Sequence, residues 1–218
     1  GQSADAAAAA VNELVAQQAA ADAAVAMATQ KRDEARYELD LRTLHAPVDA
    51  RDGHDRTPLH VAAYAGHAEA MRALVRAGAN PNALERDRYD IVTIAAVAND
   101  VATLALALDL GASAKNVTSR YDGTALIAAA HLGHVEVVRL LIGAGAPLDH
   151  VNNLGWTALI ESIVLGDGGP RHVATLKALV DAGANVTLAD RSGTSPLALA
   201  RSRGYREMVA ILERAGAR

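Results

Sequence analysis

With 218 residues, a formal net charge of −4 and no cysteine, the chain can form one domain with a sizeable core or one elongated array. The missing cysteines exclude disulfides, thiolate chemistry and Cys-based zinc or iron sites, and the acidic balance argues against a nucleic-acid binder. No apolar run reaches the roughly 18 residues of a transmembrane helix, so no membrane insertion is expected.

Phenylalanine is absent and aromatics make up 3% of the chain. Ala, Leu and Val must therefore fill the core, which suits short, closely packed helices because Ala is the best helix former. The excess of Arg over Lys, together with the Ala bias, is that of a GC-rich bacterial genome.

Residues 1–22 are expected to be helical or partly frayed. They lack the basic and apolar regions of a signal peptide. Gly1 has the look of a residue left by tag removal, and a signal peptide could have preceded it, so bacterial periplasm and cytoplasm both stand as compartments. Residues 23–50 are expected to form a divergent capping unit, with Lys31, Arg32 and Asp33 at its turn.

From residue 51 onward the chain repeats itself. The segments starting at Ala77, Leu110, Ala144 and Ala182 (AGANPN, LGASAK, AGAPLD, AGANVT) lie 33, 34 and 38 residues apart. In the first copy, Thr57 can cap a helix through its hydroxyl, and Pro58 is tolerated in the first turn. Leu59, Ala62 and Ala63 give a short inner helix with small residues, and Gly66 supplies a left-handed turn. A second, antiparallel helix follows over 68–75. One such pair cannot bury its apolar faces alone; stacked pairs share a core.

The irregular copies fit the same plan. In the second, Asp90-Ile91-Val92-Thr93 stand where the first has Thr-Pro-Leu-His, which leaves the helix start open, and Asn99 takes the left-handed glycine position. The third keeps its cap as Thr124. The fourth keeps Thr157 and carries five extra residues, 167–171, expected wholly in the turn between its helices. The last, from Ser195-Pro196-Leu197, is polar enough to be a C-terminal cap.

Thr57-Pro58-Leu59-His60, Ala62-Ala63, Gly66-His67 and Gly78-Ala79 together resemble the signature of the ankyrin repeat. The resemblance covers residues 51–218 firmly and 23–50 loosely. It implies an all-α ankyrin-repeat solenoid of stacked helix-turn-helix units with short β-hairpin-like loops, in five repeats at about 51–83, 84–117, 118–151, 152–189 and 190–218. It also implies that His60, His67, His134 and His172, which recur in fixed slots, hold repeats together.

In that family, recognition uses the hairpin tips and the exposed side of each inner helix. Carried over by position, the partner-binding candidates are His54, Arg56 and Tyr64 in the first repeat and Arg86, Arg88 and Tyr89 in the second. The third offers Arg120, Tyr121 and His131, the fourth Leu154, Trp156 and Leu165, the last Arg191 and Arg203. Tyr, Trp and Arg are the types enriched at interface hot spots. The expected function is a non-catalytic scaffold, a monomer, binding a partner protein through its concave face with no cofactor or metal. A periplasmic protective or immunity-type role beside an enzyme or toxin is one alternative.

A ligand or metal binder using concave-face histidines is the other alternative, with His131 and His54 its candidates. Against it, Gly133 breaks the helix between His131 and His134, and no His-Glu-x-x-His or carboxylate cluster accompanies any histidine pair. The glycine-rich run 166–172 follows a helix rather than a strand, so it lacks the setting of a phosphate loop. A local stripe of Arg56, Arg86, Arg88 and Arg120 is the one feature that could touch nucleic acid.

Overall fold

The structure, a computed structural model, describes residues 27–34 and 47–218. The chain divides into two compact units, 1–46 and 47–218. Residues 27–34 of the first are helical, and Gln30 Nε2 donates to Glu34 Oε1 at 3.0 Å across one turn. The turn expected at Lys31, Arg32 and Asp33 is therefore helix. Lys31 and Arg32 have good helix propensity, and no Gly or Pro interrupts the segment. The segment 1–22 and most of the expected cap lie outside the described residues.

The second unit holds ten helices in five antiparallel pairs. The first helix of each pair is α1 (Pro58–Tyr64), α3 (Ile91–Val97), α5 (Ala125–Leu132), α7 (Ala158–Val164) and α9 (Pro196–Ser202). Their partners are α2 (Ala68–Arg76), α4 (Val101–Asp109), α6 (Val135–Gly143), α8 (Pro170–Asp181) and α10 (Arg206–Arg214). Each first helix packs on the next first helix and each second helix on the next second helix, giving two layers. Between the layers lie Leu59, Met71, Leu104, Leu126, Leu141, Leu159, Leu176 and Leu197, all buried.

The first helices start for one local reason. Thr57, Asp90, Thr124, Thr157 and Ser195 each accept the N–H of the residue three further on, from His60 through Ala198. This satisfies a donor that the helix itself leaves unpaired. The helix start left open in the second copy is thus an Asp cap, with Thr93 N to Asp90 Oδ1 at 2.8 Å. The glycine substitute there behaves as expected: Asn99 has φ 57°, beside 66° at Gly66 and 68° at Gly133.

The insertion differs from expectation. Only 167–169 form loop, with Gly169 capping α8, whereas Pro170, Arg171 and His172 wind an extra turn onto that helix. Proline at the first helical position, with φ preset and no N–H to lose, favours this. Gly169 N and His172 Nδ1 both meet Asp167 Oδ1, at 2.8 Å each.

Loops at the far ends of the pairs are joined copy to copy. Asn80 N donates to Asp49 Oδ1 at 3.2 Å, Ser113 N to Asn82 Oδ1 at 2.9 Å and Asn185 N to Asp149 Oδ1 at 2.8 Å. The series skips one step. There the acceptor position holds Lys115, and the donor position holds Pro147, which has no N–H to leave unsatisfied.

Among the described residues one buried side-chain group lacks a partner: the Thr175 hydroxyl in α8. Thr175→Val keeps the shape and removes the desolvated oxygen, so it should raise unfolding stability by about 1 kcal/mol. Urea unfolding of the two proteins checks this.

Candidate functional site

The hairpin tips preceding each first helix share one device. Five residues before each N-cap sits a side-chain acceptor: Asp52, Glu85, Ser119, Asn152 and Asp190. Each accepts from the backbone N–H groups two and four residues on, for example His54 N and Arg56 N on Asp52 Oδ1 at 2.8 and 3.0 Å. This closes a compact turn at every copy. Neighbouring tips are joined by backbone bonds, Arg86 N to His54 O at 3.2 Å and Asn153 N to Tyr121 O at 2.9 Å.

The tip arginines are engaged within the chain. Arg56 pairs with Asp52 at 2.7 Å, and its side-chain hydrogen bond is the first cause that holds the Asp52 carboxyl below the usual range. Arg86 donates to Gly53 O. Arg88 pairs with Asp122 at 2.8 Å, and Arg120 with Asp87. Arg191 donates to Asn153 O at 2.6 Å and Arg203 to Val164 O at 3.1 Å. Most of these contacts cross from one copy to its neighbour, so the arginines staple adjacent tips. The stripe of Arg56, Arg86, Arg88 and Arg120 is interleaved with Asp52, Asp87 and Asp122, which removes its character as a basic track.

The aromatic candidates divide into two groups. Tyr64 and Tyr121 are 53% and 52% exposed. Tyr89 and Trp156 are half-buried. Burial, then Glu85, pushes the Tyr64 phenol up, and burial, then Asp87, does the same to Tyr89. Leu154 and Leu165 are exposed, and so are Val61 and Val97 on α1 and α3. His54 is exposed at the first tip.

His131, at the end of α5, is brought beside a residue that the sequence did not single out. Its Nδ1 lies 3.4 Å from Oε2 of Glu161 on α7. The other carboxyl oxygen of Glu161 accepts from Asn152 Nδ2 at 2.8 Å. Glu161 is only 5% exposed, and burial pushes its carboxyl up to about 7. Burial, then the charge of His172, pushes the His131 imidazole down.

The slot histidines tie copies together. His60 Nδ1 accepts from Thr57 N at 3.0 Å, so the proton sits on Nε2, which donates to Ala83 O at 3.0 Å. His134 Nδ1 donates to Ala96 O at 3.0 Å. His172 Nε2 donates to His131 O at 2.9 Å. In the last copy the same slot holds Tyr205, whose hydroxyl donates to Gly166 O at 2.9 Å. Among the described residues no group of three His, Asp or Glu side chains converges to hold a metal ion, and no helix is long and apolar enough to cross a membrane.

The family model for ankyrin repeats in three copies matches residues 92–190, and that for a single ankyrin repeat matches residues 54–86. The chain is 32% identical over 175 residues to the putative ankyrin repeat protein YahD of Escherichia coli K12, spanning 80% of this chain and 87% of that protein. The chain belongs to the ankyrin-repeat family. An ankyrin repeat domain from Acinetobacter baumannii AYE superposes with a TM-score of 0.79 at 43% identity, covering 88% of this chain and 97% of that one. A second ankyrin repeat protein gives 0.76 at 31% identity, over 86% and 95% of the two chains.

Ankyrin repeats are a general protein–protein interaction module, and proteins built from them are generally non-catalytic scaffolds. Within this ankyrin array, sequence reasoning missed the tip acceptors and Glu161. The acceptors had a signal, a polar residue five before every cap, hidden because its identity changes in nearly every copy. Glu161 had none in isolation, since a glutamate on a helix reads as solvated.

Proposed function

We propose that this ankyrin array is a non-catalytic scaffold that binds a partner protein on the face made by the hairpin tips and the open sides of α1, α3, α5, α7 and α9. The observation that carries this reading is the distribution of exposed apolar surface. Ten large apolar or aromatic side chains are exposed among the described residues, and six of them (Val61, Tyr64, Val97, Tyr121, Leu154 and Leu165) belong to this face. Exposed apolar side chains gathered on one face of an array mark an interaction site, and an array of this kind offers such a face along its length.

The half-buried Tyr89 and Trp156 support that face from below, and the stapled arginines hold its tips in place. The partition into five repeats over 51–218, with 23–50 as a divergent cap, belongs to the same reading. It is supported by Asp49, which accepts from Asn80 just as Asn82 accepts from Ser113. The histidine-centred alternative is weakened because the rings of His60, His134 and His172 are committed to backbone carbonyls.

Affinity capture from lysate of the source organism tests the proposal, with wild type and Tyr64→Ala/Tyr121→Ala as baits. Both tyrosines are exposed, so the double variant should melt with wild type and retain its captured partner at least about tenfold more weakly. Equal retention by both baits would move the binding surface elsewhere.

A further inference from the structure

Glu161 breaks the pattern of its own position. Four residues after the N-cap, the other copies carry Val61, Ile94, Ala128 and Leu199. Only the fourth copy places a carboxyl there, almost wholly removed from water. A buried carboxylate is costly without a charged partner. Glu161 has an amide and an imidazole instead, Asn152 at 2.8 Å and His131 at 3.4 Å. An apolar residue, as in the other four copies, would serve stability better. Departures from a local rule of this kind collect at functional positions.

A second departure is matched to the first. The tip acceptor is an amide only in the fourth copy. Asn152 Oδ1 closes its own tip, on Leu154 N and Trp156 N at 3.0 Å each, while its Nδ2 donates to Glu161. Asp, Glu or Ser could close the tip equally well. Of these only the Ser hydroxyl could also donate to Glu161, and its shorter side chain lacks the reach of the Asn amide. The pair Asn152 and Glu161 thus forms a built unit.

On the other side of the carboxyl stands His131, whose side chain is 46% exposed. It occupies the position that Tyr64 fills in the first copy, on the proposed binding face. The charged groups on the helices packed against α7 are otherwise engaged or turned outward. Lys177 pairs with Asp181 and Arg201 with Glu213. Arg203 donates to Val164 O, His172 bonds Asp167 and His131 O, and Arg171 is exposed.

We propose that Glu161 is a specificity-determining residue of the binding face, held by Asn152 and covered by His131, which anchors an arginine or lysine side chain of the partner. The proposal rests on the scaffold reading and names the chemistry one part of that face selects. The incoming cation takes the place of the His131 ring beside Oε2. It supplies the positive charge the site lacks, and any proton on the carboxyl leaves to solvent. A neutral partner residue at this point supplies no counter-charge and gains nothing there, and an acidic one is repelled.

The test needs no partner protein, so its failure is separate from failure of the scaffold reading. The probe is acetyl-Gly-Arg-Gly-amide, with the Lys and Gln tripeptides as comparisons, titrated while the His131 imidazole and Trp156 indole signals are followed by NMR. Wild type should show saturable shifts with the Arg or Lys peptide in the millimolar range, about 1–10 mM, and none with the Gln peptide. Glu161→Gln should lose them.

Asn152→Asp/Glu161→Leu rebuilds the pair that Asp190 and Leu199 form in the last copy. It should also lose the shifts while melting at or above the wild-type temperature. Equal shifts in Glu161→Gln, no cation-dependent shift in wild type up to about 100 mM, or a lower melting temperature in the double variant would each overturn the assignment.

Discussion

Glu161→Gln is expected to stabilise the array by about 3 kcal/mol near pH 8 and by almost nothing near pH 4. Burial raises this carboxyl from 4.5 to about 7. The folded state therefore holds a proton that the unfolded chain releases. Stability from that proton is fully present below about pH 4.5 and is lost as pH rises through about 7. A shift of about 2.5 units at 1.36 kcal/mol each sets the size. Glutamine mimics the protonated acid at every pH and keeps the bond from Asn152.

His60 acts in the opposite direction. Burial lowers its folded pKa, so its share of stability is present above about pH 6.5 and is lost as pH falls. Both proteins should lose that share on acidification, and only wild type should lose stability towards alkaline pH. Urea unfolding at the two pH values measures the difference. An equal effect at both, or destabilisation near pH 8, would show that Glu161 is ionised and satisfied in the folded state.

The second large effect lies in the inserted turn. Gly166→Ala should cost about 3 kcal/mol. A Cβ there would stand 2.1 Å from Ser162 O and 2.8 Å from the His172 ring, and neither can yield easily. The carbonyl belongs to the backbone of α7, and His172 is buried and bonded on both nitrogens. Gly166 O also accepts the Tyr205 hydroxyl of the last copy. The control is Gly193→Ala, at φ 76° with nothing within 4 Å of its Cβ. It should cost only the left-handed penalty of about 1 kcal/mol. Denaturant unfolding that ranks the two equally would mean that the inserted turn is loosely held.

Most of the array was legible in the residues because one local grammar is written five times. Thr57, Thr124, Thr157 and Ser195 announce helix starts, and Asn99 stands in for glycine where φ turns positive. The histidines were legible as scaffold because they recur in register. What escaped depends on stacking. Arg88 meets Asp122, and Arg120 meets Asp87, only once two tips lie side by side. Glu161 is buried only because α5 and the tip of its own copy close over α7. The length of α8 was misjudged for a local reason. Pro170, expected within the turn, stands at the first helical position, where proline starts a helix.

The measurement that bears most directly on the scaffold account is the amide hydrogen-exchange footprint of the array, alone and with its captured partner. The account predicts slowed exchange in the tips and in α1, α3, α5 and α7, around Tyr64 and Tyr121, with α2, α4, α6, α8 and α10 unchanged. Protection confined to those second helices would contradict it and place the partner on the opposite layer.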